Sequence, residues 1–175
     1  MAKDGGLDIV VANVSALATQ SNDEAWRAAF EIDLLATVHT VNAALPHLEK
    51  SKAASAIAIA STAGVESFGG VRPYNALKSA LIAYMSNLSS AYASKGVRFN
   101  TVSPGTIYFD GGVWHQRQQQ APDVYRMALG RNPMGRMGTP QEVANAVAFL
   151  ASPRASFITG ANLIVDGALT QRIQF

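Results

Sequence analysis

Short apolar runs separated by helix-length stretches constrain this chain more than any other feature. Leu7-Asp8-Ile9-Val10-Val11-Ala12-Asn13, Ser55 to Ala60, Val97 to Val102 and Leu163 to Asp166 are rich in branched aliphatic side chains and bounded by polar or turn residues. That is the pattern of buried strands. Between the first two, Ser21 or Asn22 can cap a helix whose first turn carries Asp23 and Glu24. Trp26, Phe30 and Leu34 keep helical spacing, and the helix continues to about Leu48, with Pro46 near its end. A second helix starts at Pro73, runs to about Ser94 and is ended by Gly96. A third starts at Thr139-Pro140-Gln141-Glu142, a cap followed by proline and an acid, and runs to about Ala151. Residues 106–133 are expected to be irregular or short helix. Strands alternating with helices predict an α/β fold: a parallel sheet with helices on both faces.

The composition excludes several classes of function. The chain has 175 residues, 49% hydrophobic and 15% charged, enough for one domain over residues 1–175 with a proper core. A net charge of +2 with scattered basic residues argues against nucleic acid as a partner. With no cysteine, disulfides, thiolate metal sites and cysteine nucleophiles are excluded. Met1 to Gly6 lacks the apolar stretch of a secretory signal, and no apolar run is long enough to span a membrane, so a cytoplasmic location is expected. His39, His47 and His115 have no mutual spacing typical of a metal site, and no metal is expected.

The chemistry concentrates in Tyr74-Asn75-Ala76-Leu77-Lys78. Four residues of helix put Tyr74 and Lys78 on one face, one turn apart. A phenol alone titrates near pH 10, and a neighbouring ammonium is expected to lower that value. The pair can then move a proton to or from a carbonyl or hydroxyl oxygen. Ser61, at the end of the second apolar run, can hydrogen-bond the same oxygen. Alone, such a pair is common in helices; its setting is what gives it weight.

That setting is Ile59-Ala60-Ser61-Thr62-Ala63-Gly64 before the pair and Asn100-Thr101-Val102-Ser103-Pro104-Gly105 after it. Further on come Gly135-Arg136-Met137-Gly138-Thr139-Pro140-Gln141-Glu142-Val143-Ala144 and Ile158-Thr159-Gly160-Ala161-Asn162-Leu163-Ile164-Val165-Asp166-Gly167. In this order, from about Gly6 to Ala168, the chain resembles the classical short-chain dehydrogenase/reductase family, in particular its 3-oxoacyl-carrier-protein-reductase-like branch. The resemblance implies a Rossmann-like doubly wound sheet and hydride exchange between NAD or NADP and a secondary alcohol or ketone. It makes Tyr74 the general acid/base and Ser61 the residue that orients the substrate oxygen. Lys78 would lower the phenol pKa and reach the nicotinamide ribose. Pro104, Gly105 and Ile107 would line the nicotinamide end, and Asn13 would sit beside the adenosine half. It also implies a homo-oligomer, dimer or tetramer, paired through helices 22–48 and 73–94. The small residues Ala76, Ala80 and Ala83 on the second of these helices fit that role.

The chain departs from the family pattern in three places. The family's Gly-rich phosphate turn, with its first three strands, has no counterpart, which predicts a truncated sheet of about four strands with an open parallel edge. That edge predicts self-association, partner binding or instability. Ser15 stands where the family places a glycine close to the cofactor. Asp33 stands at the position of the family's fourth catalytic residue, an asparagine; it is either a catalytic carboxylate or an ordinary polar residue at a helix bend. The missing turn also keeps alternatives open: a catalytically inactive truncated relative acting as an assembly or binding subunit, or an incomplete gene product. Trp114 and Tyr108 read as packing aromatics, and Met127, Met134 and Met137 as core filling beside the substrate segment.

Overall fold

A computed structural model describes residues 6–18 and 20–173. The stretch Met1 to Gly5, read above for a leader, lies outside the described residues. The described chain forms a four-stranded sheet in the order β1 (Ile9–Ala12), β2 (Ser55–Ile59), β3 (Arg98–Pro104), β4 (Asn162–Val165). All three pairings are parallel, in registers such as Ile9 with Ser55, Ser55 with Arg98 and Thr101 with Asn162. Parallel neighbours need crossover connections, and the helices supply them.

The first crossover begins at α1 (Asp23–Ala29). The Asn22 side chain accepts the Ala25 N–H at 2.9 Å, and two acids sit in the first turn, so cap and dipole agree. The helix then widens into a π-helical segment, Phe30–Leu35, before α2 (Ala36–Leu48). Such widened turns re-aim side chains and recur at functional sites; here the segment turns Asp33 inward. α3 (Pro73–Tyr92) begins with proline at its first position, and Gly96 closes the following turn with φ 75°. Residues 106–133, expected to be irregular or short helix, contain α4 (Val113–Gln120) and α5 (Pro122–Gly130). α6 (Pro140–Ala151) opens with a capping box between Thr139 and Glu142. The Arg136 guanidinium and the Thr139 N–H both bond Glu142, and together they hold its carboxyl down at about 2.

Two cores flank the sheet, one against each face, as a doubly wound Rossmann-like fold requires. Val41, Ala44 and Leu48 of α2 and Leu81 and Met85 of α3 pack on Ala56, Ala58 and Phe99. On the other face Leu150 and Ala151 of α6 meet Ile57 and Val102. Arg98 ties the layers together, donating to the carbonyls of Leu150, Ala151, Ser152 and Ile158 and so closing the C-terminal end of α6.

One expectation changes. β1, read from sequence as a buried strand, is buried on one side only: Ile9 is 46% exposed and Val11 44%. Its side chains alternate, and the side opposite α2 has nothing across from it among the described residues.

Candidate active site

Every candidate residue lies at the carboxyl ends of the strands, where open α/β sheets place their ligands. Asn13 follows β1 and Ser61 follows β2; Pro104 closes β3, with Gly105 and Ile107 just beyond. Tyr74 and Lys78 stand on the first turns of α3, beside Ser61, and Asp33 reaches in from the π segment.

At the centre, Lys78 is 2% exposed and Asp33 0%. The Lys78 ammonium donates to the Ile59 carbonyl at 3.1 Å and stands 3.1 Å from Asp33 Oδ1. The second contact is ionic and off the hydrogen-bonding angle, so Oδ1 has no hydrogen-bond partner among the described residues. Asp33 Oδ2 accepts the Ala16 N–H at 3.3 Å, tying the turn after β1 into the cluster. Lys78 Nζ is 5.6 Å from the centre of the Tyr74 ring. Ser61 Oγ accepts the Ala63 N–H at 3.1 Å and keeps its own O–H as a donor on the Tyr74 side. Asp33 thus sits in a helix irregularity, as one reading had it, but it is fully buried and paired with Lys78 rather than an ordinary polar residue at a bend.

The electrostatics run opposite to the expectation from spacing. Burial pushes the Tyr74 phenol above its ordinary value; the side-chain contact with Ser61 opposes this and the Asp33 charge adds to it. Burial lowers the Lys78 ammonium, with Asp33 offsetting part of the fall. The Asp33 carboxylate cancels much of the positive charge that would have favoured phenolate. At neutral pH the site presents a protonated phenol.

Two supports went unrecognised in the sequence. A Cβ on Gly64 would stand 2.7 Å from the Lys78 backbone carbon and 2.8 Å from the Ser79 nitrogen, so only glycine lets the turn after Ser61 lie against α3. The Ser79 hydroxyl donates to the Gly64 carbonyl at 2.6 Å and closes the same contact. Asp166 accepts from the Ala168 and Thr170 backbones, while a Cβ on Gly105 would lie 2.7 Å from Asp166 Cβ. Gly64 was visible only as a loop glycine, because close approach of two distant segments leaves no local pattern.

Of the other singled-out residues, Met137 is buried, but Met127 and Met134 are each 63% exposed and so do not fill the core as expected, because α5 and the turn after it, which carry them, lie on the surface. His115 accepts the Gly111 N–H at 2.7 Å and bonds Gln119. The Tyr108 hydroxyl donates to Gln118 at 2.7 Å, and its ring meets Tyr125 edge-on. No group of three or more His, Asp or Glu side chains that could hold a metal occurs among the described residues. A cavity of about 460 Å³ lies at the opposite end of the sheet, beside Lys52, Arg98 and Phe157, far from this chemistry. A second, of about 350 Å³, lies beside Glu66, Arg131 and Gln171, on loops at the site's end.

For a dinucleotide, the residues present fit one half. Lys78 donates one ammonium N–H to Ile59, with the Asp33 carboxylate alongside, and keeps donors for a ribose hydroxyl. The turn after β1 is Asn13-Val14-Ser15-Ala16, with Asn13 and Val14 exposed and no glycine, so it offers no cradle for a pyrophosphate.

Comparison with known proteins places this geometry. Residues 1–170 match the family model described as enoyl-(acyl carrier protein) reductase. Isoepoxydon dehydrogenase patN of Penicillium expansum is 37% identical over 172 residues, covering 98% of this chain and 66% of that protein. The 3-oxoacyl-acyl-carrier-protein reductase of Escherichia coli is 34% identical, over 96% of this chain and 68% of its own length. The crystal structure of an oxidoreductase of the short-chain dehydrogenase/reductase family from Burkholderia thailandensis superimposes with a TM-score of 0.85 at 35% identity, covering 93% of this chain and 65% of that one. This chain thus spans about two thirds of the length of the relatives it matches. It belongs to the short-chain dehydrogenase/reductase family.

Proposed function

We propose that the chain carries the proton-transfer half of an NAD- or NADP-dependent reduction of a ketone to a secondary alcohol. The convergence of Ser61, Tyr74, Lys78 and Asp33 at the carboxyl ends of the strands supports this reading. When bound, the nicotinamide supplies the hydride. Ser61 donates its free proton to the substrate oxygen and orients it. Tyr74, protonated at neutral pH, gives its phenolic proton to that oxygen as negative charge develops there. Lys78 holds the ribose side with its remaining N–H, and Asp33 fixes Lys78. Pro104, Gly105 and Ile107 wall the nicotinamide end; Asn13 faces the adenosine end. We read the chain as one partial domain over residues 1–175, cytoplasmic, and as an oligomer paired through helices 22–48 and 73–94. Ala76 and Ala83 are exposed on α3, on the side away from Leu77, Leu81 and Met85, as that pairing requires.

The test is NADH or NADPH oxidation coupled to ketone reduction. Tyr74→Phe is expected to lower the turnover rate by about 10²–10⁴-fold, the usual worth of general acid catalysis, without weakening cofactor binding. A Tyr74→Phe rate equal to the unsubstituted rate would sink the proposal. A second reading, a non-catalytic assembly subunit, is favoured by the exposed Ile9 and Val11 on β1 and by the glycine-free turn after it. Titration with NADH and NADPH separates the two: micromolar saturation supports the enzyme, and no heat at millimolar nucleotide supports the subunit.

A further inference from the structure

We propose that Glu66 and Arg131 form a specificity subsite for the far end of the substrate, selecting a neutral group that both donates and accepts hydrogen bonds, a carboxamide. Both side chains line the cavity of about 350 Å³, together with Pro133, Leu169 and Gln171. Contacts tie this cavity to the Tyr74 cluster on two sides. On one, the Arg131 guanidinium lies over the Phe68 ring at 5.0 Å, and the Phe68 carbonyl accepts the Asn75 side-chain N–H at 3.3 Å. Asn75 is the neighbour of Tyr74 in the first turn of α3. On the other, Leu169 is buried beside Gly105: a Cβ on that glycine would stand 3.4 Å from Leu169 Cδ2. Glu66 itself lies in the loop between Ser61 and Tyr74.

Both charges are held in place. Glu66 Oε2 accepts the Gln171 N–H at 3.1 Å, which leaves Oε1 as an acceptor. Stacking on Phe68 orients the planar guanidinium and leaves its N–H donors for a ligand. The next residue, Asn132, is buried; it accepts the Thr106 hydroxyl at 2.9 Å and donates to the Ala128 carbonyl at 2.8 Å. The end of α5 that precedes Arg131 is thereby pinned to the segment after β3. Glu66 and Arg131 line one cavity without an ion pair to each other among the described residues, so each charge is available to a ligand. For a ligand of net charge the two largely cancel, since one attracts what the other repels. For a carboxamide they add: its N–H groups donate to Glu66 and its carbonyl accepts from Arg131, both charge-assisted contacts. The word "substrate" rests on the proposed reductase; the cavity's preference for a carboxamide does not.

The test is a ¹H–¹⁵N NMR titration of the labelled chain with 4-oxocyclohexanecarboxamide, with the corresponding methyl ester and with the free carboxylate. The backbone amides of Gly130 and Gln171, which line the cavity, report on its occupancy. The carboxamide is expected to move both resonances. It should bind about tenfold tighter than the ester, which accepts but cannot donate, and about tenfold tighter than the carboxylate, which Glu66 repels. Glu66→Leu should bring carboxamide and ester to within about threefold of each other and strengthen the carboxylate. Arg131→Met should weaken carboxamide and ester together, since both offer that guanidinium an acceptor. Thermal melting checks that the variants fold, and the ranking on the unsubstituted chain stands without them. Equal affinities, no shift at either amide, a carboxylate that binds tightest, a carboxamide preference that survives Glu66→Leu, or affinities that Arg131→Met leaves unchanged would each overturn the proposal. Failure of the reductase reading shows separately, as absent nucleotide oxidation with the ranking at the cavity intact.

Discussion

Tyr74 and Lys78 are four residues apart, but what they can do is decided by Asp33, forty-one residues before Tyr74 in sequence. Spacing alone predicts an ammonium that favours phenolate. Burial and the Asp33 carboxylate reverse the direction, and the phenol keeps its proton. That Ser61, Tyr74 and Lys78 would converge was legible in the sequence; the sign of their electrostatics was not, because it depends on burial and on a partner brought in by a π-helical turn. The Lys78–Asp33 pair has a direct energetic signature. Lys78→Met leaves a carboxylate at 0% exposure without its cation, and breaking a buried pair in this way costs about 3–5 kcal/mol. Chemical denaturation should show that loss for Lys78→Met and recover most of it in the double variant Asp33→Leu/Lys78→Met, where both charges are gone. Additive losses would show that the pair contributes nothing as a pair.

Among the elements, the contact that matters most is the one between the turn after β2 and the start of α3. Gly64 permits it, and the Ser79 hydroxyl closes it. Gly64→Ala should lower stability by about 1–3 kcal/mol, the cost of forcing an extra carbon into a packed site. It should also reduce turnover, because α3 must shift relative to Ser61. Urea denaturation checks the first effect and the reductase assay the second; an unchanged midpoint would show that the turn adjusts freely. Element ends were readable wherever a local chemical device marks them. The Thr139 capping box with Pro140 placed α6 at its observed limits, and Asn22 placed the start of α1. Elements without such a device were not readable. The π segment at Phe30–Leu35 keeps ordinary helical spacing in sequence, and the polar run Gln116–Gln120 forms part of α4 although it has no apolar stripe.

Across the whole molecule, alternation of strands and helices was enough to predict a parallel sheet with both faces covered, and the fold matches. The exposure of β1 was harder to foresee, since a strand's apolar pattern says which faces can be buried and not what lies opposite them. Ile9 and Val11 present an apolar patch beside a strand edge that is unpaired among the described residues, an arrangement that favours edge-to-edge association. Sedimentation velocity of the 175-residue chain should show concentration-dependent association that Val11→Lys suppresses. Association unchanged by Val11→Lys would move the contact to another surface, with the exposed alanines of α3 the next to test.

The central claim, a phenol kept protonated beside a lysine whose charge Asp33 has neutralised, is tested most directly by NMR titration of Tyr74 in the chain labelled with ¹³C at the tyrosine ζ carbon. Tyr74→Phe identifies the resonance. The account predicts a midpoint above the ordinary value of 10.0 in the unsubstituted chain and a lower midpoint in Asp33→Asn, where the Lys78 charge is released toward the ring. A midpoint at or below 10.0, or one that Asp33→Asn leaves in place, would contradict it.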